Sequence, residues 1–244
     1  DTVATDEIRF GDNGQRAARR LPRRSLIASC RTPPLFPTMP DLHFEVLPKP
    51  QRQIWNQLKS KSAQLNRLGY YLAGGTGLAL QLGHRQSIDF DFFSKKNGVD
   101  DQTNQWLEQF SGYVLRDMSA DTVHAELDGI KLSFIGSYKY NVVGEFLEAD
   151  GIKVANFADI GLMKLLAITH RAALRDYIDL AALLRDRISL ADLLKKSTEK
   201  YGRTFNRMLP LKALVSFQDL DAEMSVLIDR SLAKSWQDIL REAV

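Results

Sequence analysis

Seven residues constrain the fold of this chain more than any others. Ser87-Ile88-Asp89-Phe90-Asp91-Phe92-Phe93 alternates with period two and is rich in aromatics, the pattern of a strand with one buried face. In such a strand Asp89 and Asp91 share one face with Cα atoms about 6.5–7 Å apart, while Ile88, Phe90 and Phe92 turn toward a core. Two carboxylates so placed repel each other, and one pKa rises unless positive charge stands between them. A hard divalent cation such as Mg²⁺, which takes carboxylate oxygens together with the phosphates of a nucleotide, is the natural occupant. The plainer reading, the wet face of an edge strand, loses ground because of what comes just before.

Tyr70-Tyr71-Leu72-Ala73 is a short, bulky, strand-like run that stops at Gly74-Gly75-Thr76, and Leu78-Ala79-Leu80-Gln81-Leu82 follows with helical character. Strand, glycine turn and helix make a unit suited to anions. Gly74 and Gly75 allow close backbone approach, and the N–H groups opening the helix, with the Thr76 hydroxyl, can hold a phosphate. There is no Walker-type loop, no dinucleotide fingerprint and no His-Glu-x-x-His, so phosphate chemistry here needs another architecture.

Elsewhere the pattern predicts a helix within Leu47–Leu68 and another over Asn104–Phe110. It also predicts a hairpin of Thr122–Leu127 with Ile130–Ile135 about the type I′ dipeptide Asp128-Gly129. Val142–Leu147 and Ile152–Val154 are further strand candidates. From Phe157 the period becomes helical and stays so: Asn156 caps one helix through Ile168, Arg171–Arg185 forms a second, Ser189 with Asp192 opens a third, and two more follow. The expected class is α+β, a mixed α/β half to residue 155 and a helical half over 156–244.

Charge separates one more region. Residues 1–38 hold seven arginines, no lysine and four acids, whereas the rest balances 26 basic against 26 acidic side chains. That stretch also carries Cys30 and four of the eight prolines, and it ends at Met39, the first methionine. It reads as a disordered or non-native tail, an upstream extension ahead of a natural start at Met39. An Arg-rich targeting peptide is opposed by Asp1, Asp6, Glu7 and Asp12, and an arm for nucleic acid is the remaining alternative. A lone cysteine gives no internal bridge, and no apolar run approaches the roughly 18 residues of a membrane span, so a cytoplasmic protein without a membrane partner is expected.

Gly74-Gly75-Thr76, a helix, then Arg85-x-Ser87-x-Asp89-x-Asp91-Phe92-Phe93 resembles the signature of the nucleotidyltransferase superfamily, specifically the AbiEii/AbiGii toxin-type nucleotidyl transferases. A second block is similar to that family's helical motif: Asp159-Ile160-x-x-x-Lys164-Leu165-x-Ala167-Ile168-x-x-Arg171, then Arg175-Asp176-Tyr177-Ile178-Asp179-Leu180. The resemblance covers about residues 43–187. It implies a nucleotidyltransferase-like small mixed sheet with flanking helices as the core, 39–155, followed by a helical C-terminal domain. It further implies a Mg²⁺-dependent transfer of a nucleoside monophosphate from NTP to RNA, such as tRNA, or to a protein, by a toxin restrained by a cognate antitoxin. Asp89 and Asp91 would bind the metal; Gly74, Gly75 and Thr76 would hold the triphosphate; Lys164 would neutralise phosphate charge. The alternatives are a catalytically inactive binding module with this fold and a small-molecule, antibiotic-type transferase.

Lys164 and Arg171 are seven apart on one helix face and Asp176 and Asp179 three apart on the next. They surround the nucleotide, or else form a buried salt-bridge cluster tying two helices, with Asp179 the acid favoured for catalysis. Arg85 and Ser87 either contact phosphate or brace the turn. Many nucleotidyltransferases place a third carboxylate on a neighbouring strand, where this chain offers Ser133, with Lys131 on the same face; Glu126 or Asp179 is the candidate substitute. His43, His84, His124 and His170 lack metal-ligand spacing and read as structural or exposed, Trp55, Trp106 and Trp236 as packing residues, and Lys195, Lys196, Lys200 and Arg203 as a solvated helix face.

Overall fold

The computed structural model describes residues 41–96, 98–203, 205–218, 220 and 226–244. The Arg-rich stretch 1–38, with its expected tail character, lies outside them. A 3₁₀ turn at Phe44–Val46 leads to α1, Lys49–Ser60, which carries Pro50 in its first turn where no intrahelical N–H is required. α1 buries Ile54, Trp55 and Leu58. The single helix expected within Leu47–Leu68 is broken at Lys61, and α2, Ser62–Arg67, sets off so that the Asn66 amide reaches Gly151 O at 2.8 Å.

The strands are β1 Tyr71–Leu72, β2 Phe90–Phe93, β3 Tyr113–Met118, β4 Thr122–Leu127, β5 Ile130–Ile135, β6 Leu147–Ala149 and β7 Ile152–Val154. They form one mixed sheet in the order β3-β4-β5-β2-β1-β7-β6. β2 runs antiparallel to β1 and parallel to β5, and β1 runs parallel to β7. The β4–β5 hairpin turns where expected, with φ of 48° at Asp128 and 80° at Gly129, both positive as a type I′ turn demands. The same dipeptide recurs at Asp150-Gly151, with φ of 50° and 81°, and joins β6 to β7. The earlier strand candidate is thereby displaced from Val142–Leu147 to Leu147–Ala149. β3 was not expected. Among the described residues its only sheet neighbour is β4 and five of its six residues are exposed, so it has no burial alternation to read.

α3, Gly74–Leu82, follows β1 directly, and α4, Asp101–Leu107, starts three residues earlier than its pattern suggests because the Asp100 carboxylate accepts from Thr103 N at 3.1 Å. Past the sheet come α5 Phe157–Ala167, α6 Leu174–Asp186, α7 Leu190–Tyr201, α8 Met208–Leu214 and α9 Leu232–Ala243. Asn156 caps α5 by accepting from Ala158 N and Asp159 N at 3.0 Å, and Ser189 caps α7 through Asp192 N at 3.1 Å.

The sheet divides the core. Trp55, Phe90, Phe92, Trp106 and Phe134 fill one side beneath α1, α2 and α4; Leu78, Ile160, Leu165, Ile178 and Leu183 fill the other among α3, α5, α6 and α7. All three tryptophans are packing residues, none more than 9% exposed. Phe93 and Tyr71 face the helical side, so by alternation Asp91 does too. Among the described residues no helix is long and apolar enough to cross a membrane.

Candidate active site

The glycine turn has the shape it has because two charged side chains cross it. Gly74 sits at φ +61°, and a Cβ there would lie 2.5 Å from Asp91 Oδ2; at Gly75 a Cβ would run into the Arg85 guanidinium. Gly74 is thus restricted to glycine by conformation as well as by contact, and Gly75 by the guanidinium packed against it. Ala73, at the N-cap position, supplies no side-chain acceptor, so the first N–H groups of α3 open toward the space in front of the turn. Thr76 hydroxyl bonds Ser87 Oγ at 2.7 Å and donates to Asp89 O, which ties the first turn of α3 to the approach of β2. Thr76 and Ser87, 1% and 5% exposed, brace this turn.

β2 begins at Phe90 rather than Ser87. Before it, Ser87 N donates to Val46 O, Gln86 N to Val226 O, and Arg85 forms an isolated bridge with Leu227, so this stretch is held by neighbours outside the sheet. Ile88 consequently stands half exposed instead of entering the core. Asp89 and Asp91 nevertheless reach the same place. Both line a cleft of about 720 Å³ together with Gly74, Gly75, Thr76, Arg85, Ser87, Lys164 and Arg171.

The cations of this cleft are held from behind. Asp179, completely buried, accepts from Arg85 Nε at 2.6 Å and Nη2 at 2.9 Å, and it pairs with Lys164 Nζ at 2.7 Å and His84 Nε2 at 2.7 Å. Burial alone would push the Asp179 carboxyl up; Arg85 and Lys164 beside it, with hydrogen bonds from Arg85 and His84, hold it well below the usual carboxylate range. Asp176, equally buried, takes Lys164 at 2.6 Å and Arg171 Nε at 2.8 Å. Neither acid lines the cleft. One turn apart on α6, they fix the three cations that do. Arg171 arrives by a different route from the one its spacing suggests: α5 ends at Ala167, and Arg171 projects from the loop before α6.

The place of the third carboxylate is also resolved. Ser133 pairs with Asp91 in the β2–β5 register and lines the cleft. Neither proposed substitute stands there, since Glu126 is bonded to Arg116 at 2.6 Å and Asp179 is behind the wall. His124 does, with Nδ1 3.3 Å from Ser133 Oγ. The histidines are structural or exposed as expected, His84 buried and His124 and His170 exposed, but the last two also line the cleft, as do Lys131 and Arg175. Arg175 Nη1 stands 3.9 Å from Asp89 Oδ2. The hairpin turn itself carried the signal for His124, because a two-residue loop between Leu127 and Ile130 fixes 124 opposite 133. Of the basic face expected on α7, Lys200 is a correction: it is 2% exposed, and its Nζ bonds Asp159 at 2.7 Å, which takes Asp159 of the second sequence block out of the cleft as well.

Two carboxylates facing one cavity are hard oxygen donors, the set that Mg²⁺ accepts when nucleotide phosphates and water complete its shell. Among the described residues no group of three or more His, Cys, Asp or Glu is gathered for a metal; Asp89 and Asp91 are the pair that fits an ion shared with a substrate's oxygens.

Residues 57–244 match the family described as nucleotidyl transferase AbiEii toxin, type IV TA system. Over 159 residues the chain is 35% identical to the uncharacterized protein aq_aa25 of Aquifex aeolicus (strain VF5), covering 64% of this chain and 77% of that one. In shape it is similar to MenT4, the nucleotidyltransferase toxin Rv2826c of Mycobacterium tuberculosis H37Rv, with a TM-score of 0.51 at 17% identity over 77% of this chain and 80% of that one. The antibiotic-resistance factor ANT(2″)-Ia aligns with a TM-score of 0.48 at 11% identity over 61% of this chain and 89% of that one. With the mixed sheet, the glycine turn and the paired carboxylates in place, the family match over three quarters of the chain makes this protein a nucleotidyl transferase of the AbiEii toxin family.

Proposed function

We propose that the cleft binds a nucleoside triphosphate and a divalent ion and transfers the nucleoside monophosphate to a hydroxyl of an RNA acceptor such as tRNA, in the cytoplasm, under the control of a cognate antitoxin. The carrying observation is the convergence, in one cavity, of two carboxylates, a glycine turn opening a helix, and the cations Arg85, Lys164 and Arg171. Gly74, Gly75 and Thr76 present backbone N–H groups to phosphate oxygens, and the three cations offset the charge of the triphosphate. Asp89 and Asp91 would hold Mg²⁺, which when bound supplies charge neutralisation and polarises phosphate oxygens.

The remaining contribution of the chain is orientation. Asp179 and Asp176 keep the guanidinium of Arg85 and the ammonium of Lys164 in fixed positions, so the field at the cleft is set before substrate arrives. The acids themselves act as positioning residues. Lys131, Arg171 and Arg175 extend positive charge to the mouth of the cleft, which favours a polyanionic acceptor over a neutral one.

The test is to incubate the full chain with Mg²⁺, each α-³²P-labelled NTP in turn and total bacterial RNA, beside an Asp89→Ala/Asp91→Ala control, and to separate products on a denaturing gel. Label should enter an RNA band and vanish in the control, a loss of about 10³-fold or more. Label on protein would move the acceptor to the polypeptide class. Equal labelling by the folded control would remove Asp89 and Asp91 from the site.

A further inference from the structure

Asp91, Ser133 and His124 form one row across three adjacent strands. Asp91 pairs with Ser133 between β2 and β5, Ser133 pairs with His124 between β5 and β4, and all three line the cleft. Adjacent strands lie about 4.8 Å apart, so the imidazole stands roughly two strand spacings from Asp91, with a gap between them wide enough for an acceptor hydroxyl. Of the acids considered for this place, Glu126 is engaged with Arg116 and Asp179 with Arg85 and Lys164, and Asp117, the β3 partner of His124, does not line the cleft.

From this row we infer that His124 is the general base that takes the proton of the attacking hydroxyl, with Ser133 as its positioning residue. The inference rests on the reading of the cleft given above. In the tautomer whose Nδ1–H donates to Ser133 Oγ, across the 3.3 Å contact, Nε2 keeps its lone pair for the cleft. The acceptor O–H gives its proton to Nε2 as its oxygen bonds the α-phosphorus. The bond from that phosphorus to the bridging oxygen of the β-phosphate breaks, and its electron pair leaves with pyrophosphate. The proton then passes from the imidazolium to water. Titratable and charged groups around His124 are Asp117 from β3, Glu126 on its own strand, Lys131 from β5, Asp91 from β2, and His170 and Arg171 from the facing wall. Histidine on an exposed strand position is also easily replaced without harm to the core, so the variant tests chemistry rather than folding.

The experiment uses the full chain, labelled NTP at saturation and total bacterial RNA, with transfer rates measured from about pH 5.5 to 9 for the parent, His124→Ala and Asp91→Ala, and NTP affinity measured by calorimetry. His124→Ala should lower the rate about 10²–10⁴-fold, leave NTP affinity within about twofold, abolish the acidic limb of the pH profile and recover part of its rate with added imidazole. A His124→Ala rate within about threefold of the parent, or an acidic limb that persists in it, overturns the inference. Loss of activity in Asp91→Ala alongside such a result would leave the cleft standing and remove only His124. A parent that transfers no label, or an Asp91→Ala variant as active as the parent, would bring down the cleft reading and this inference with it.

Discussion

The two walls of the cleft are built on opposite principles. On the sheet side, Gly74–Thr76 and Asp89–Asp91 are set by backbone: a turn whose first position requires glycine, and a short strand whose pleat carries Asp91 into the cleft. On the helical side, Arg85, Lys164 and Arg171 owe their positions to two buried carboxylates of α6. The first wall is written in neighbouring residues and costs the fold little, because its carboxylates stand at the edge of solvent. The second buries charge on both partners of the Arg85 and Lys164 pairs, which is tolerable only while every partner is present. Activity and stability are therefore distributed unequally between the walls, and variants can separate them.

The widest separation comes from Asp179→Ala. Removing it strands Arg85 and His84 at an empty buried site and leaves Lys164 with Asp176 alone, and the expected loss is about 3–5 kcal/mol, read as a fall in the urea midpoint; Asp89→Ala/Asp91→Ala should shift that midpoint by well under 1 kcal/mol in ΔG while abolishing transfer. Equal destabilisation by the two changes would erase the contrast. Next in size is Gly74→Ala, which forces a Cβ against Asp91 at positive φ and should cost about 1–2 kcal/mol together with most of the NTP affinity. A fully active Gly74→Ala protein would show that the turn has slack. Smallest at neutral pH is the acid response of Asp179. Its folded pKa lies below the unfolded value of about 3.9, so its contribution is complete above that value and is lost as pH falls through the folded pKa. Urea midpoints of the parent should drop more steeply below about pH 4 than those of Asp179→Asn, and parallel curves would place the buried pair outside the acid transition.

That same division explains what the sequence let us read. The strand–glycine–helix unit, Asp89 and Asp91, and the Asp128-Gly129 hairpin all follow from residues within a few positions of one another. The partners of Asp176 and Asp179 do not: Arg85 lies more than ninety residues from Asp179, and spacing on a helix fixes a face without saying what it meets. Two misses had local signals all the same. Asp150-Gly151 repeats the hairpin dipeptide and marks the β6–β7 turn, and the register of β4 and β5 already placed His124 beside Ser133. β3 offered none, because a strand exposed along most of its length has no reason to alternate.

The backbone pairing of residues 84–86 with the segment leading into α9 has an effect on timing. Gln86 N bonds Val226 O, Arg85 bridges Leu227, and Ile228 and Asp229 both donate to His84 O. During synthesis the turn and both cleft carboxylates leave the ribosome early, yet the loop bearing Arg85 acquires its backbone partners only after some 140 further residues have been added. A nascent chain thus carries the pieces of its cleft before the backbone partners of residues 84–86 exist.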